Sequence, residues 1–399
     1  MNSRIDRRRF LSCTLAAGAG ITVASLSRAV AAEATKTTQS DPTGYFTLGQ
    51  EKGHWWLITP DGQPFFTMGL NHIDPASLRY PENLHLWREK YGGSTIRWIE
   101  ESVVPNLHEW GFNTVGWVQE VTVRLPEQGL AWQHSRPFTI DEYRALDMPY
   151  CHLLPFTESH QWEGHTVHYD FRSEDWKEWC DYVARSHCAE LSEEKNLIGY
   201  FYSDCPTWIH ERPSNAWRGP IFDPEQLETE AGRKELSDLA GHYYKTIHDT
   251  IRRYDKHHLL FGDRYEANAP IAIEVVNAAK SYVDVLSFQD FKDPVKHLDE
   301  WHKITGKPVL LADAAKVEGS RNEFFKSNNG MWYAETLAAL HKNPGCVGFH
   351  LCGAYQRNKS RRRGLLDEME KPDEEQVKLI TEANRQISRR MDMEFGSPK

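Results

Sequence analysis

Leu197-Ile-Gly-Tyr-Phe-Tyr-Ser-Asp-Cys-Pro-Thr-Trp208 opens with an almost unbroken apolar run and ends in an abrupt cluster of polar residues. Such a run has the length of a strand and lacks the alternation of a half-solvated one, so it reads as a strand buried on both faces. Similar runs lie at Phe65–Leu70, Thr114–Val118, Met148–Leu154, His258–Phe261, Val283–Phe288, Pro308–Ala312 and Cys346–Leu351. Between them lie helical patterns: Ile96–Trp110, Glu174–Leu191, Glu225–Tyr254, Ala272–Lys280, Pro294–Ile304 and Asn322–Lys342, with Glu374–Gln386 closing the chain. Only Gln119–Leu146 shows no clear helix. Eight strands with mostly helical crossovers imply an α/β fold, a (β/α)8 TIM barrel. The rival, an open doubly wound sheet, calls for a glycine-rich phosphate loop after the first strand, where this chain has Gly69-Leu-Asn-His-Ile-Asp74. Ahead of the barrel, Gly53–Phe66 reads as a short β-hairpin turning at Asp61-Gly62.

The ends of the chain read differently. Arg7-Arg8-Arg9-Phe10-Leu11, the small and apolar run Ala16–Leu26, and Ala29-Val30-Ala31 form a twin-arginine-type signal peptide over 1–31. A linker follows over 32–44, then the barrel over 45–390 and a tail over 391–399. The expected location is therefore outside the cytoplasm, periplasmic or extracellular. No later apolar run is long enough to span a membrane. A formal net charge of −10, spread along the chain, argues against nucleic acid as a partner. Beyond the signal stand Cys151, Cys180, Cys188, Cys205, Cys346 and Cys352. They form no C-x-x-C and accompany no H-E-x-x-H, which argues against a disulfide scaffold or a spacing-coded zinc site, so no cofactor and no metal is expected.

A barrel places its chemistry at the C-terminal ends of its strands. Those ends carry Asn71, His72, Trp117, Asp204, Cys205, Tyr265, Glu266, Gln289, Asp290, Asp313 and His350, with Trp208 just beyond. Carboxylates for proton transfer or attack, amides for hydroxyls and rings for C–H faces are what a sugar substrate needs.

Taken in order, Gly53–Asn71, Leu197–Trp208, Lys307-Pro-Val-Leu-Leu-Ala-Asp313, Val347-Gly-Phe-His350 and Gly364-Leu-Leu-Asp367 resemble agarase-like glycoside hydrolases with (β/α)8 barrels. Tyr169-Asp170-Phe171 fits as well. The resemblance implies an O-glycosyl hydrolase acting on a plant or algal polysaccharide or oligosaccharide without a cofactor. It also implies Asn-Glu after strand four and a second Glu after strand seven. Here Asp204-Cys205 and Asp313 stand at those places. A thiol is a poor substitute for a carboxylic acid in protonating a leaving oxygen, so Asp204 and Asp313 become the catalytic candidates. Asn71, His72, Trp117, Trp208, Tyr265, Glu266, Gln289, Asp290 and His350 are the expected substrate contacts.

Two shortened side chains suggest a wide carboxylate pair and hence inversion. The basic run Arg357–Arg363 suggests an anionic sugar if it folds over the cleft. Two other classes stand beside hydrolysis. One is a catalytically silent carbohydrate-binding barrel, because both usual glutamates are replaced. The other is an exported redox protein with a pre-inserted cofactor, although no ligand spacing for one is seen.

Overall fold

The computed structural model describes residues 42–117, 137–157, 170–209, 217, 219–267, 269–316, 330–353, 355–358 and 364–396. The expected signal peptide, most of the expected linker, Gln119, Tyr169 and most of the basic run lie outside them.

Eight parallel strands close into a barrel: β4 (Thr67–Leu70), β5 (Thr114–Val115), β6 (Tyr150–Leu153), β7 (Leu197–Asp204), β8 (Leu259–Glu266), β9 (Leu286–Gln289), β10 (Val309–Ala314) and β11 (Cys346–Leu351). They follow one another around the ring in chain order, and β11 pairs with β4 through Gly348↔Thr67 to Leu351↔Leu70. Each expected strand is present. Strands β7, β8 and β10 run further toward their C-terminal ends than the apolar runs suggest, because ladder pairing such as Asp204↔Arg264 and Asp313↔Gln289 continues into polar sequence.

The expected hairpin forms two strands of a three-stranded antiparallel sheet. It comprises β1 (Thr47–Glu51), β2 (His54–Ile58) and β3 (Pro64–Phe65). Gly62 has φ of 86° in the turn between β2 and β3. The polar strand Thr-Leu-Gly-Gln-Glu carries no strand signal of its own. It is fixed by the two-residue turn Lys52-Gly53, both at positive φ, between the paired Glu51 and His54.

The helices follow the expected order with some differences, the first being an additional helix at Leu84–Tyr91. Ile96–Trp110 is divided by a π-turn at Ile99–Val103, directly before Pro105, whose missing N–H interrupts the α ladder. A helix at Ile140–Leu146 was not apparent from periodicity. Its start is set by a capping box in which Thr139 and Glu142 satisfy each other's backbone amides. The C-terminal helix runs over Glu374–Phe395, because Met391 and Phe395 still pack against the core. Among the described residues no helix is long and apolar enough to cross a membrane.

The barrel interior is filled by Cys151, Leu153, Ile198, Phe201, Leu259, Phe261, Val285, Leu310, Ala312 and Val347. Leu57 from the N-terminal sheet and Phe46, just before it, join this cluster and floor the end where the strands begin. Of the described cysteines all but Cys205 are buried.

On the outer wall, Asp255 ties β7 and β8 to the long helix Glu230–Tyr254. Its carboxylate accepts from Tyr200 Oη (2.7 Å) and from the amides of His257 (2.9 Å) and His258 (3.1 Å), and pairs with His258 Nδ1 (2.6 Å). Burial pushes this carboxyl up, but His258, Tyr200 and the His257 amide outweigh it and hold it down at about 2, from 3.8. A depressed carboxylate stabilises the fold above its unfolded value and loses that contribution as pH falls toward its folded one. Asp255→Asn should therefore cost on the order of 2 kcal/mol at neutral pH. It should also flatten the decline of stability between about pH 4 and pH 2. Urea unfolding across that range checks this, and an unchanged pH profile would contradict it.

Candidate active site

At the C-terminal mouth, strand alternation turns Asp204 on β7 and Arg264 on β8 toward the axis, side by side in register. Arg264 is 1 % exposed. Its Nε and Nη2 donate to Asp204 Oδ1 at 3.0 and 2.8 Å, its Nη1 to the Ala312 carbonyl at 3.4 Å, and its Nη2 lies 3.8 Å from Asp313 Oδ2. The guanidinium carbon sits 3.8 Å from the centre of the Trp117 ring. Burial alone would lower the pKa of Arg264. Asp204 and then Asp313 more than reverse this and keep the guanidinium charged.

The two candidate catalytic carboxylates thus converge on one cation. Because both distances are measured to the same nitrogen, Asp204 Oδ1 and Asp313 Oδ2 are at most about 6.6 Å apart, the lower edge of the inverting range of about 6.5–9.5 Å. This bound covers the retaining spacing of about 5 Å and just reaches the inverting one.

Asn71 holds the other side of Asp313. Its Nδ2 donates to Asp313 Oδ1 (2.6 Å) and to the Ala312 carbonyl (2.7 Å), while its Oδ1 accepts the Trp117 amide (2.6 Å). One side chain therefore links the ends of β4, β5 and β10. Glycine is required where it does so: a Cβ on Gly116 would stand 2.2 Å from Asn71 Oδ1.

His72 follows with φ of 57°, a left-handed conformation for a residue with a Cβ. Its Nε2 lies 3.9 Å from Asp313 Oδ2. Cys205, after β7, is the second such residue in the site, with φ of 45°. Its thiol lies 3.6 Å from Asp204 Oδ1 and receives a hydrogen bond from Gln289 Nε2, which also donates to Asp204 at 3.2 Å. Glu266, half-buried, stands two residues beyond Arg264 and so alternates onto the same face at the mouth.

Other expected contacts lie elsewhere. His350 is fully buried below the mouth, in a notch left by Gly69 and Gly116, where an added Cβ would approach it to 2.4 and 2.7 Å. Its Nε2 bonds Thr67 Oγ1 at 2.9 Å, and because Thr67 donates to Thr114, it is the imidazole that donates to Thr67. Burial, with Arg264 adding to it and Asp313 opposing, pushes His350 down to about 3, so it is neutral. Trp117 offers its face to Arg264, where a sugar was expected. Trp208 packs in an aromatic cluster with Phe171, Trp217 and Tyr243. Tyr265 alternates outward and meets Tyr244 Oη at 2.5 Å. Asp290 caps its own loop through the amides of Lys292 and Asp293 and pairs with His297 Nδ1 at 2.5 Å. In the basic run, Arg357 pairs with Asp373 at 2.8 Å, and Lys359 to Arg363 lie outside the described residues.

Arg264 is not among the expected contacts, although its alternation with Asp263 and Tyr265 marks it as the inward residue. Cys352, just past β11, escaped notice as a site residue; with His72 and Asp313 it forms a buried group of potential metal ligands.

No protein-family model matches the chain, and no curated protein sequence matches it. Solved structures do share its fold. An agarase, AgWH50C, matches 88% of this chain and 65% of its own at a TM-score of 0.65 and 17% identity. An exo-β-agarase matches 90% of this chain and 67% of its own, with the same TM-score and identity. A Bacteroides uniformis β-glucuronidase matches 84% of this chain and 37% of its own at a TM-score of 0.53 and 11% identity. The chain spans about two thirds of the agarases' length, and at these identities the likeness is one of fold.

Removing the shared cation leaves two buried carboxylates facing each other. Arg264→Met should destabilise the barrel by about 3–5 kcal/mol. Asp204→Asn added to it should recover at least about 1 kcal/mol in a denaturant double-mutant cycle. Strictly additive effects would show that Arg264 does not bridge the pair.

Proposed function

We propose that this chain is an exported O-glycosyl hydrolase that cleaves an agar-like or related polysaccharide or its oligosaccharides, using Asp204 and Asp313. The observation that carries the reading is the convergence of these two carboxylates on Arg264 at the mouth of a barrel sealed at its other end. The agarase folds support it, and so does the acidic residue that remains at each place, Asp204 beside Cys205 on β7 and Asp313 in place of the second glutamate on β10.

Roles follow from surroundings. Asp313, with a side chain 5 % exposed and oriented by Asn71, suits the anionic part: attack on the anomeric carbon. Asp204, whose side chain is 15 % exposed, is the more accessible of the two and suits the proton donor to the leaving oxygen. After departure of the leaving group, Asp204 would take a proton from water as that water attacks the glycosyl–Asp313 ester. Glu266 and Gln289 are proposed sugar contacts at the rim, with Asn71 and His72 behind them. The segment over 1–31 is proposed as the export signal, so the mature enzyme meets its polymer outside the cytoplasm.

One observation favours a second reading. A cation already fills the space between the carboxylates, and a thiol occupies the place of the usual acid, as expected of a barrel that binds sugar without cleaving it.

Reducing-sugar release from neutral and sulfated agar-derived oligosaccharides separates the two. The hydrolase reading predicts turnover by the wild type and a fall in kcat of about 100- to 10,000-fold in Asp204→Asn and in Asp313→Asn, with binding retained. Binding without turnover across the panel would establish the silent barrel instead.

A further inference from the structure

His72, Asp313 and Cys352 end or follow three strands that are neighbours in the barrel, β4, β10 and β11. All three are buried, and their ligand atoms (an imidazole nitrogen, a carboxylate oxygen and the Cys352 sulfur) lie within 4.8 Å of one another. We propose that this triad is a binding site for a thiophilic divalent cation of the zinc class.

The donor set determines the class. A thiolate with an imidazole and one carboxylate suits zinc, whereas calcium and magnesium require a shell of oxygens. Zinc-to-ligand distances of about 2.0–2.3 Å place tetrahedral ligands roughly 3.3–3.8 Å apart. His72 Nε2 and Asp313 Oδ2 already stand at 3.9 Å. The remaining contraction is within the reach of side-chain rotation. Three protein ligands also leave the fourth position open, as in zinc sites that bind a water or a small ligand.

The surroundings orient and charge the triad. Asn71 donates to Asp313 Oδ1, which turns Oδ2 toward His72. The backbone fixes the other two ligands, through the His72 amide on the Trp117 carbonyl (2.8 Å) and the Cys352 amide on the Ala314 carbonyl (2.8 Å). Two carboxylates, Asp204 and Asp313, face the single guanidinium of Arg264 beside the triad. Arg264 opposes a neighbouring cation, but it leans toward Asp204 (2.8 Å) and away from Asp313 (3.8 Å).

Metal binding and glycosidic attack are then exclusive uses of Asp313. That consequence rests on the proposed function, whereas the binding itself does not. Zinc would inhibit the hydrolase.

The test uses the full mature chain, stripped with a chelator and titrated with Co²⁺ and with Zn²⁺. The expected result is one equivalent bound, a cobalt–thiolate charge-transfer band, and release of a proton. Cys352→Ser should remove the band and weaken binding at least about tenfold. His72→Gln serves as the second ligand variant if Cys352→Ser fails to fold. Cys205→Ser, which alters the one half-exposed thiol among the described residues, should keep the band. No charge-transfer band, or a band lost with Cys205 and kept without Cys352, would overturn the site. Because none of these readings measures sugar cleavage, a failure here is distinct from a failure of the hydrolase reading.

Discussion

A single buried guanidinium sets the character of the barrel mouth. Arg264 stacks on Trp117 and faces both Asp204 and Asp313. In the low dielectric of a barrel interior an uncompensated charge is costly, so each member of this group constrains the others. The cation keeps two acidic side chains together inside the fold, and they keep it charged. Asn71 then fixes Asp313 and the start of the β5 loop in one stroke, and Gly116 supplies the room. Leu57 of the N-terminal sheet and the adjoining Phe46 pack into the interior at the far end, and this polar group lies at the C-terminal ends of the strands.

The parts of this arrangement legible in sequence are those governed by short-range rules. Strands buried on both faces announce themselves as apolar runs, and the long crossover helices show their periodicity; together they specify a barrel. Strand β1 has neither an apolar run nor β-branched alternation. It exists because Lys52-Gly53 turns it back on β2 and the barrel floor needs cover, which are tertiary reasons. The helix at Ile140–Leu146 was legible in principle, since Thr139 and Glu142 are spaced as a capping box, but it is too short for periodicity to reveal.

The site divides the same way. Asp204 and Asp313 can be located because strand ends can be located. What surrounds them cannot, because the bonds that matter join residues far apart in the chain, such as Asn71 with Asp313. Strand alternation decides which polar residues face the axis: Arg264 turns inward while Tyr265 turns out to Tyr244. Asp290 and Trp208 show the other limit. A polar or aromatic residue at a strand end has its own loop and helices to serve, and here those partners claim it. The buried donors His72, Asp313 and Cys352 have no sequence spacing at all, since they meet only through the ring closure of β10, β11 and β4.

The central claim is that the mouth around Asp204, Arg264 and Asp313 is where a glycan is held for cleavage. A crystal structure of Asp204→Asn soaked with an agar-derived oligosaccharide tests it most directly. The account predicts a glycosidic oxygen facing residue 204 and an anomeric carbon facing Asp313, with Glu266 and Gln289 on sugar hydroxyls. Sugar bound only on the outer surface, or no sugar in the mouth at saturating concentration, would contradict it.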